Sequence, residues 1–422
     1  MKRILYAIAF GSLIMLVSCS ETDTEQVENE SADANKVIFE VENFIAKSEN
    51  ITKNENSVDF SKVGSNIDFE IDIPTAGRYK VSIYAKSNAE KSILWIEDYI
   101  GNKDDRTYNI TGNLAFANNG TEDFVEMSID GSPLNKGIHP MSLHLTEGNV
   151  SVDKIEFELI RKHQRTPRVM EQNMEGDSLE LVWSDEFEGT GEPDTSKWTY
   201  DVGNWGWGNN ELQYYTVKKT ENARLENGNL IIEARKDDMG YPWTSARLTT
   251  RGKVTFLYGR MEFRAKVPPY RGNWAAGWTL GDEYVDEKSW PYCGEIDILE
   301  SVGYEMDDNT GKGQAHASIH CRAYYFKIGN QKTGIVDVDS MYQNYHIYAI
   351  DWSPEGIVAS VDGREYLKYE DTSSPLSWPF DKPQNIILNL AIGGGWGGQQ
   401  GIDETVSSQK MILDYVRVYG KK

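Results

Sequence analysis

The chain has 422 residues with 43 Lys+Arg against 66 Asp+Glu, a formal net charge of −23. That balance excludes a nucleic-acid partner, because a polyphosphate needs a basic face, and it disfavours an anionic substrate. An apolar share of 39%, with 12 Trp and 23 Tyr, is enough for globular cores, and the length predicts more than one domain. The 3 cysteines are too few for a disulfide framework, and no HExxH, P-loop or dinucleotide glycine pattern occurs.

Taken in chain order, residues 1–18 read as a signal peptide. Lys2 and Arg3 precede an apolar run from Ile4 to Val17, too short to span a bilayer. The run ends Leu16-Val17-Ser18-Cys19, which resembles a bacterial lipoprotein box. That resemblance implies lipidation of Cys19 and a membrane link only through the anchor. An ordinary secretory signal is the other reading. Residues 19–35 are rich in Glu and Asp with no basic residue before Lys36, and so predict a solvated tether. Acids directly after the lipidated cysteine also resemble an export signal, which implies an outer-membrane lipoprotein exposed at the cell surface.

Residues 36–160 predict short strands at 37–41, 67–73, 78–85, 92–96, 124–129 and 155–160. Tyr79, Val81, Ile83 and Ala85 alternate with Lys80, Ser82 and Tyr84, the period of a half-buried strand. With no helical pattern, a β-sandwich follows. Residues 161–176 lose the alternation and predict a linker. Residues 177–422 are again all-β: 259–267 and 411–419 alternate, and Asp362-Gly363 marks a hairpin because it supplies positive φ cheaply. The expected fold class is therefore all-β, with two β-sandwich domains, the C-terminal one carrying a concave cleft. Trp95 lies in the first unit and every other tryptophan in the second, which places a ring-lined site there.

The chemistry concentrates in Trp290-Pro-Tyr-Cys-Gly-Glu295-Ile-Asp297-Ile-Leu-Glu300. Acids interleave with apolar residues, so this is a strand. In a regular strand Glu295 and Asp297 share a face, and Glu300 points into the core, where a carboxylate is costly. A bulge at Ile298–Leu299 uses up one residue and returns Glu300 to the face of the other two. The glutamates then stand roughly 13 Å apart at Cα, within reach of the ~5–5.5 Å carboxyl separation of a retaining glycosidase. Crowding raises the proton affinity of one carboxyl, which can serve as acid/base while the ionised one serves as nucleophile.

These residues resemble glycoside hydrolase family 16, in particular its laminarinase-like β-glucanases. Further matches run through Val182-Trp-Ser-Asp-Glu-Phe187, Trp207-Gly-Asn-Asn-Glu-Leu-Gln-Tyr-Tyr-Thr216, Tyr258-Gly-Arg-Met-Glu262, Leu388-Asn-Leu-Ala-Ile-Gly-Gly394 and Asp414-Tyr-Val-Arg-Val-Tyr419. The resemblance implies a jelly roll and a retaining double displacement, with Glu295 as nucleophile, Glu300 as acid/base and Asp297 assisting. It implies sugar-contacting positions at Asn210, Arg247, Trp274, Trp278, Trp290 and His320. Trp278 also fits a pure core role, and His320 a framework role. Trp396, in the glycine-rich stretch 393–398, is expected at the cleft rim. The implied substrate is a β-1,3-glucan such as laminarin; mixed-linkage β-1,3-1,4-glucan and a non-catalytic glucan-binding role are the alternatives.

No cofactor is implied for catalysis. The family often carries a structural calcium, whose matching positions are Glu186, the Gly228 carbonyl and Asp414. Cys293 and Cys321 are expected as reduced thiols on opposite faces. The first unit resembles a family 6 carbohydrate-binding module through Phe39-Glu40-Val-Glu42, Pro74-Thr-Ala-Gly-Arg-Tyr-Lys-Val-Ser82 and Val152-Asp153-Lys-Ile-Glu-Phe157. That implies a calcium at Glu40, Glu42 and Asp153, with Tyr99 and Tyr108 as stacking platforms if the module binds sugar. A monomer is expected.

Overall fold

A computed structural model describes residues 35–99, 107–118, 123–176, 178–307 and 309–421. The signal peptide, Cys19 and the tether up to residue 34 lie outside the described residues. Lys36 onward forms one compact unit, built from four sheets.

The first sandwich packs two six-stranded antiparallel sheets. One centres on Gly77–Lys86 between Val125–Leu134 and Val150–Lys162. Its alternation is the expected one, with Tyr79, Val81, Ile83 and Ala85 buried. The other centres on Gly137–Glu147, paired with Asn66–Ile73 and Ser92–Asp98. This central strand was not legible in the sequence, because Pro140 interrupts it and a proline cannot donate to a ladder. Pro140 stands just past Met141, which is opposite Asp98 at the end of the pairing with Ser92–Asp98, so that ladder needs no N–H from it.

The second sandwich packs a nine-stranded sheet on a ten-stranded one. At the middle of the nine-stranded sheet lie Gln384–Ile392, Asn273–Gly281, Glu295–Val302 and Gly313–His320, in that spatial order. Their inward side chains, among them Ala275, Ile296, Ala317, Ile319 and Leu388, join the core. Asp362-Gly363 turns the expected hairpin between Gly356–Val361 and Arg364–Tyr369. The stretch expected as a featureless linker contains a strand, Val169–Glu171, which adds to the nine-stranded sheet in parallel with Thr255–Leu257. A three-residue strand is too short to show periodicity.

The two sandwiches are in direct contact. Their backbones cross at Gly131 and Gly203, both at positive φ. A Cβ on Gly131 would sit 2.2 Å from the Val202 carbonyl oxygen, and one on Gly203 would sit 2.0 Å from that of Asp130. Only glycine permits that approach. Beside the crossing, Asn204 exchanges hydrogen bonds with the Asp130 backbone, and Arg161 reaches across to Asp201 at 3.0 Å.

Candidate active site

The outward face of the nine-stranded sheet forms the floor of a cleft enclosing ≈ 530 Å³. Each strand contributes alternate residues: Trp274, Ala276, Trp278 and Leu280 from one; Glu295, Asp297 and Glu300 from the next; His316, Ser318 and His320 from the third. The pairing register shifts between Gly277↔Leu299 and Trp278↔Asp297, which is a bulge at the expected place. Ile298 and Leu299 are both fully buried in the core. Two successive apolar side chains therefore point inward, and Glu300 returns to the cleft.

Hydrogen bonds hold the carboxyls. Trp290 Nε1 donates to Glu295 Oε2 at 2.9 Å, and Trp274 Nε1 donates to Glu300 Oε1 at 3.0 Å. His320 Nε2 lies 3.2 Å from Asp297 Oδ2 and 3.9 Å from Glu295 Oε1. Burial first, and the neighbouring Asp297 charge second, push Glu295 and Glu300 each up to about 8. Burial also drives Asp297 well above its ordinary range. The crowded set therefore does not carry all of its charges at once, so a protonated donor and an ionised nucleophile can coexist on one strand.

The remaining expected contacts fall on the same cleft, with one exception. Arg247 is clamped between the Trp207 and Trp278 rings, 4.8 Å from each centroid, and its Nε donates to Asp201 at 3.2 Å. Trp278 is half-buried on the lining, its Nε1 donating to Asn389 Oδ1 at 2.7 Å, so it is wall rather than core. Trp396 meets Trp274 edge-on at 5.2 Å on the lining. Asn210 is the exception: it is exposed and off the lining, at positive φ, and its neighbour Asn209 faces the cleft instead.

Sequence reasoning missed Glu211, Glu287, Phe326 and Lys327 on the lining. Glu211 is pushed up to about 6 by burial, despite hydrogen bonds from Gln213 and Asn209. It sits inside the Trp207–Thr216 motif, where spacing alone does not distinguish it from a solvated acid. Cys293 and Cys321 are free thiols, buried in different clusters.

At the positions expected to hold calcium on the second sandwich, both carboxylates are ion-paired with arginines. Both oxygens of Glu186 accept from Arg417, at 3.0 and 2.8 Å, and Asp414 accepts from Arg264 at 2.5 Å. In the first sandwich, Glu42 keeps one buried carboxylate oxygen without a hydrogen-bond partner, the kind of atom a cation would satisfy. Among the described residues, the group of acids and histidines that does converge, within 4.8 Å, is Glu295, Asp297 and His320.

Residues 210–417 match the profile of the glycosyl hydrolases family 16. The chain is 47% identical over 248 residues to a beta-glucanase of Rhodothermus marinus, an alignment covering 57% of this chain and 85% of that protein. It is 34% identical to the glucan endo-1,3-beta-glucosidase A1 of Niallia circulans, over 57% of this chain and 38% of the relative. The X-ray structure of the laminarinase from Rhodothermus marinus superposes with a TM-score of 0.54 at 46% identity, covering 58% of this chain and 98% of that one. The chain belongs to the glycosyl hydrolases of family 16.

Proposed function

We propose that the protein is an endo-β-1,3-glucanase acting with retention of configuration. It is a glycoside hydrolase, and its substrate is a β-glucan. The observation that carries the reading is the bulged strand, which sets Glu295, Asp297 and Glu300 side by side on the cleft floor between the indole N–H groups of Trp290 and Trp274.

Glu295, ionised, attacks the anomeric carbon. Glu300 gives its proton to the glycosidic oxygen, and the leaving chain departs. A covalent glycosyl–Glu295 ester results. Glu300, now a carboxylate, takes a proton from water. That water attacks the same carbon, breaks the ester and restores both groups with the original anomer. Asp297 and His320, 3.2 Å apart, brace the nucleophile. The Trp274, Trp278 and Trp290 rings offer flat apolar faces to sugar rings. The β-1,3 assignment is supported by the relative from Niallia circulans, and a neutral glucan suits a chain of net charge −23. Lipid anchoring through Cys19 belongs to the same proposal, supported by Leu16-Val17-Ser18-Cys19.

The test is release of reducing ends from laminarin, lichenan and carboxymethylcellulose. Laminarin is expected to be cut mid-chain, with the β-anomer appearing first by NMR, and Glu295→Gln is expected to be inactive while still folded. Turnover of lichenan alone would move the assignment to mixed-linkage glucan. Silence on every glucan would overturn the enzyme reading, and an initial α-anomer the mechanism.

A further inference from the structure

Trp290 couples the cleft wall to the nucleophile through its N–H on Glu295. It belongs to the loop between the strands Asn273–Gly281 and Glu295–Val302. Within that loop Asp286 acts as a cap: its Oδ1 accepts from the Lys288 and Ser289 backbone N–H groups at 3.0 and 3.2 Å. The Trp290 N–H then closes on the Asp286 carbonyl at 3.3 Å. The other oxygen of Asp286 is taken by the first sandwich, whose Asn135 N–H donates to it at 3.0 Å.

Behind Asn135 stands a second layer of the first sandwich. His139 Nε2 meets the Asn135 carbonyl at 2.9 Å, and His139 Nδ1 meets Asp98 at 2.8 Å. A carbonyl only accepts, so Nε2 carries a hydrogen. His139, Asp98 and Asp286 are at most 3% exposed, so this is a buried polar chain running from one sandwich into the other.

Tyr108 makes the nearest approach. It is 3% exposed, and its hydroxyl reaches the Trp290 carbonyl at 3.5 Å. Lys327, a cleft residue, holds its ammonium 4.0 Å from the centre of the Tyr108 ring and 5.6 Å from that of Trp290. Tyr99 packs edge-on against Tyr108, and the Lys288 ammonium lies over Tyr99 at 4.2 Å. Trp205, Trp207, Tyr284 and Trp290 share one buried cluster with the core of the first sandwich. The two tyrosines expected as sugar platforms are therefore used inside the molecule.

We propose that the first sandwich is a positioning element of the active site, in which Tyr108 seats Trp290 and, through it, orients the nucleophile Glu295. This rests on Glu295 as nucleophile. An N–H donated to a carboxylate favours its ionised form, so loosening Trp290 raises the proton affinity of Glu295. Glu295 is otherwise faced by Asp297 and Glu300 from its own strand, by His320 from the next and by Cys293 from the preceding loop.

The test uses the full chain with laminarin as substrate and compares Tyr108→Leu, Trp290→Phe and the double variant. Trp290→Phe is expected to lower kcat about tenfold or more, the size of a hydrogen bond to a charged group. The acidic limb of its kcat/KM profile should move to higher pH. Tyr108→Leu should shift kcat and that limb in the same direction, with KM changed by less than about twofold. The double variant should be no worse than Trp290→Phe alone. Additive losses, or a Tyr108→Leu enzyme that melts lower yet keeps the wild-type kcat and acidic limb, would overturn the proposal. If Tyr108→Leu does not fold, Tyr108→Phe keeps the ring, removes the hydroxyl from the Trp290 carbonyl and must move the same limb, or the proposal fails. An active Glu295→Gln would instead remove the nucleophile assignment on which the proposal rests, so the two failures are distinguishable.

Discussion

Burial first, and the Asp297 charge second, push Glu295 and Glu300 up to about 8, against 4.5 in an unfolded chain. Between those values the folded state binds more protons than the unfolded one, so stability falls as pH rises through that window. Glu295→Gln is neutral throughout. Its melting temperature is expected to match that of the wild type near pH 4 and to exceed it by several degrees near pH 8, as read by calorimetry at both pH values. An identical difference at both would show that the folded carboxyl titrates normally. The cause, burial of an acid among acids, was legible in the sequence once Asp297 and Glu300 were placed on one face. The donors that orient them were not: the Trp274 and Trp290 side chains come from another strand and a loop, and no spacing announces that both end on a carboxylate.

At the scale of the element, the bulge in Glu295–Val302 costs space. Ile298 and Leu299 both enter the core, opposite Gly277 on the neighbouring strand, which pairs with Leu299. A Cβ on Gly277 would meet the Phe263 ring at 2.6 Å, and overpacking of this kind costs about 1–3 kcal/mol. Gly277→Ala is expected to lower the melting temperature, and adding Phe263→Leu to restore much of the loss. Absence of rescue in the double variant would place the strain elsewhere. The bulge itself was predictable, because the alternative buries Glu300. The glycine that makes room for it was not, because its partner is on the opposing sheet.

At the scale of the molecule, the sandwiches share a buried cluster, a backbone crossing at glycines and a network around Asp201. Burial opposes the Asp201 charge, but Arg247, Arg78, Arg161 and Arg251 outweigh it and hold the carboxyl well below its ordinary range. Because its folded proton affinity is depressed, this stability is present above pH 3.8 and is lost as pH falls below it. Buried contacts that cross between sandwiches favour a single cooperative unit over two independent domains. Scanning calorimetry near neutral pH is expected to show one transition. Gly131→Ala, which drives a Cβ into the Val202 carbonyl, should lower it or split it in two. Two resolved transitions in the wild type would mean that each sandwich melts alone.

The sequence by itself determined the all-β class, the division into two alternating-strand units and the carboxylate strand with its bulge. It could do so because side-chain alternation and the penalty for a buried charge are local properties. Tertiary structure alone decided which aromatic rings face the cleft, which asparagine reaches it, and that Tyr99 and Tyr108 meet the catalytic sandwich. Those outcomes depend on which surfaces, distant along the chain, come to bury one another, and no local pattern encodes them.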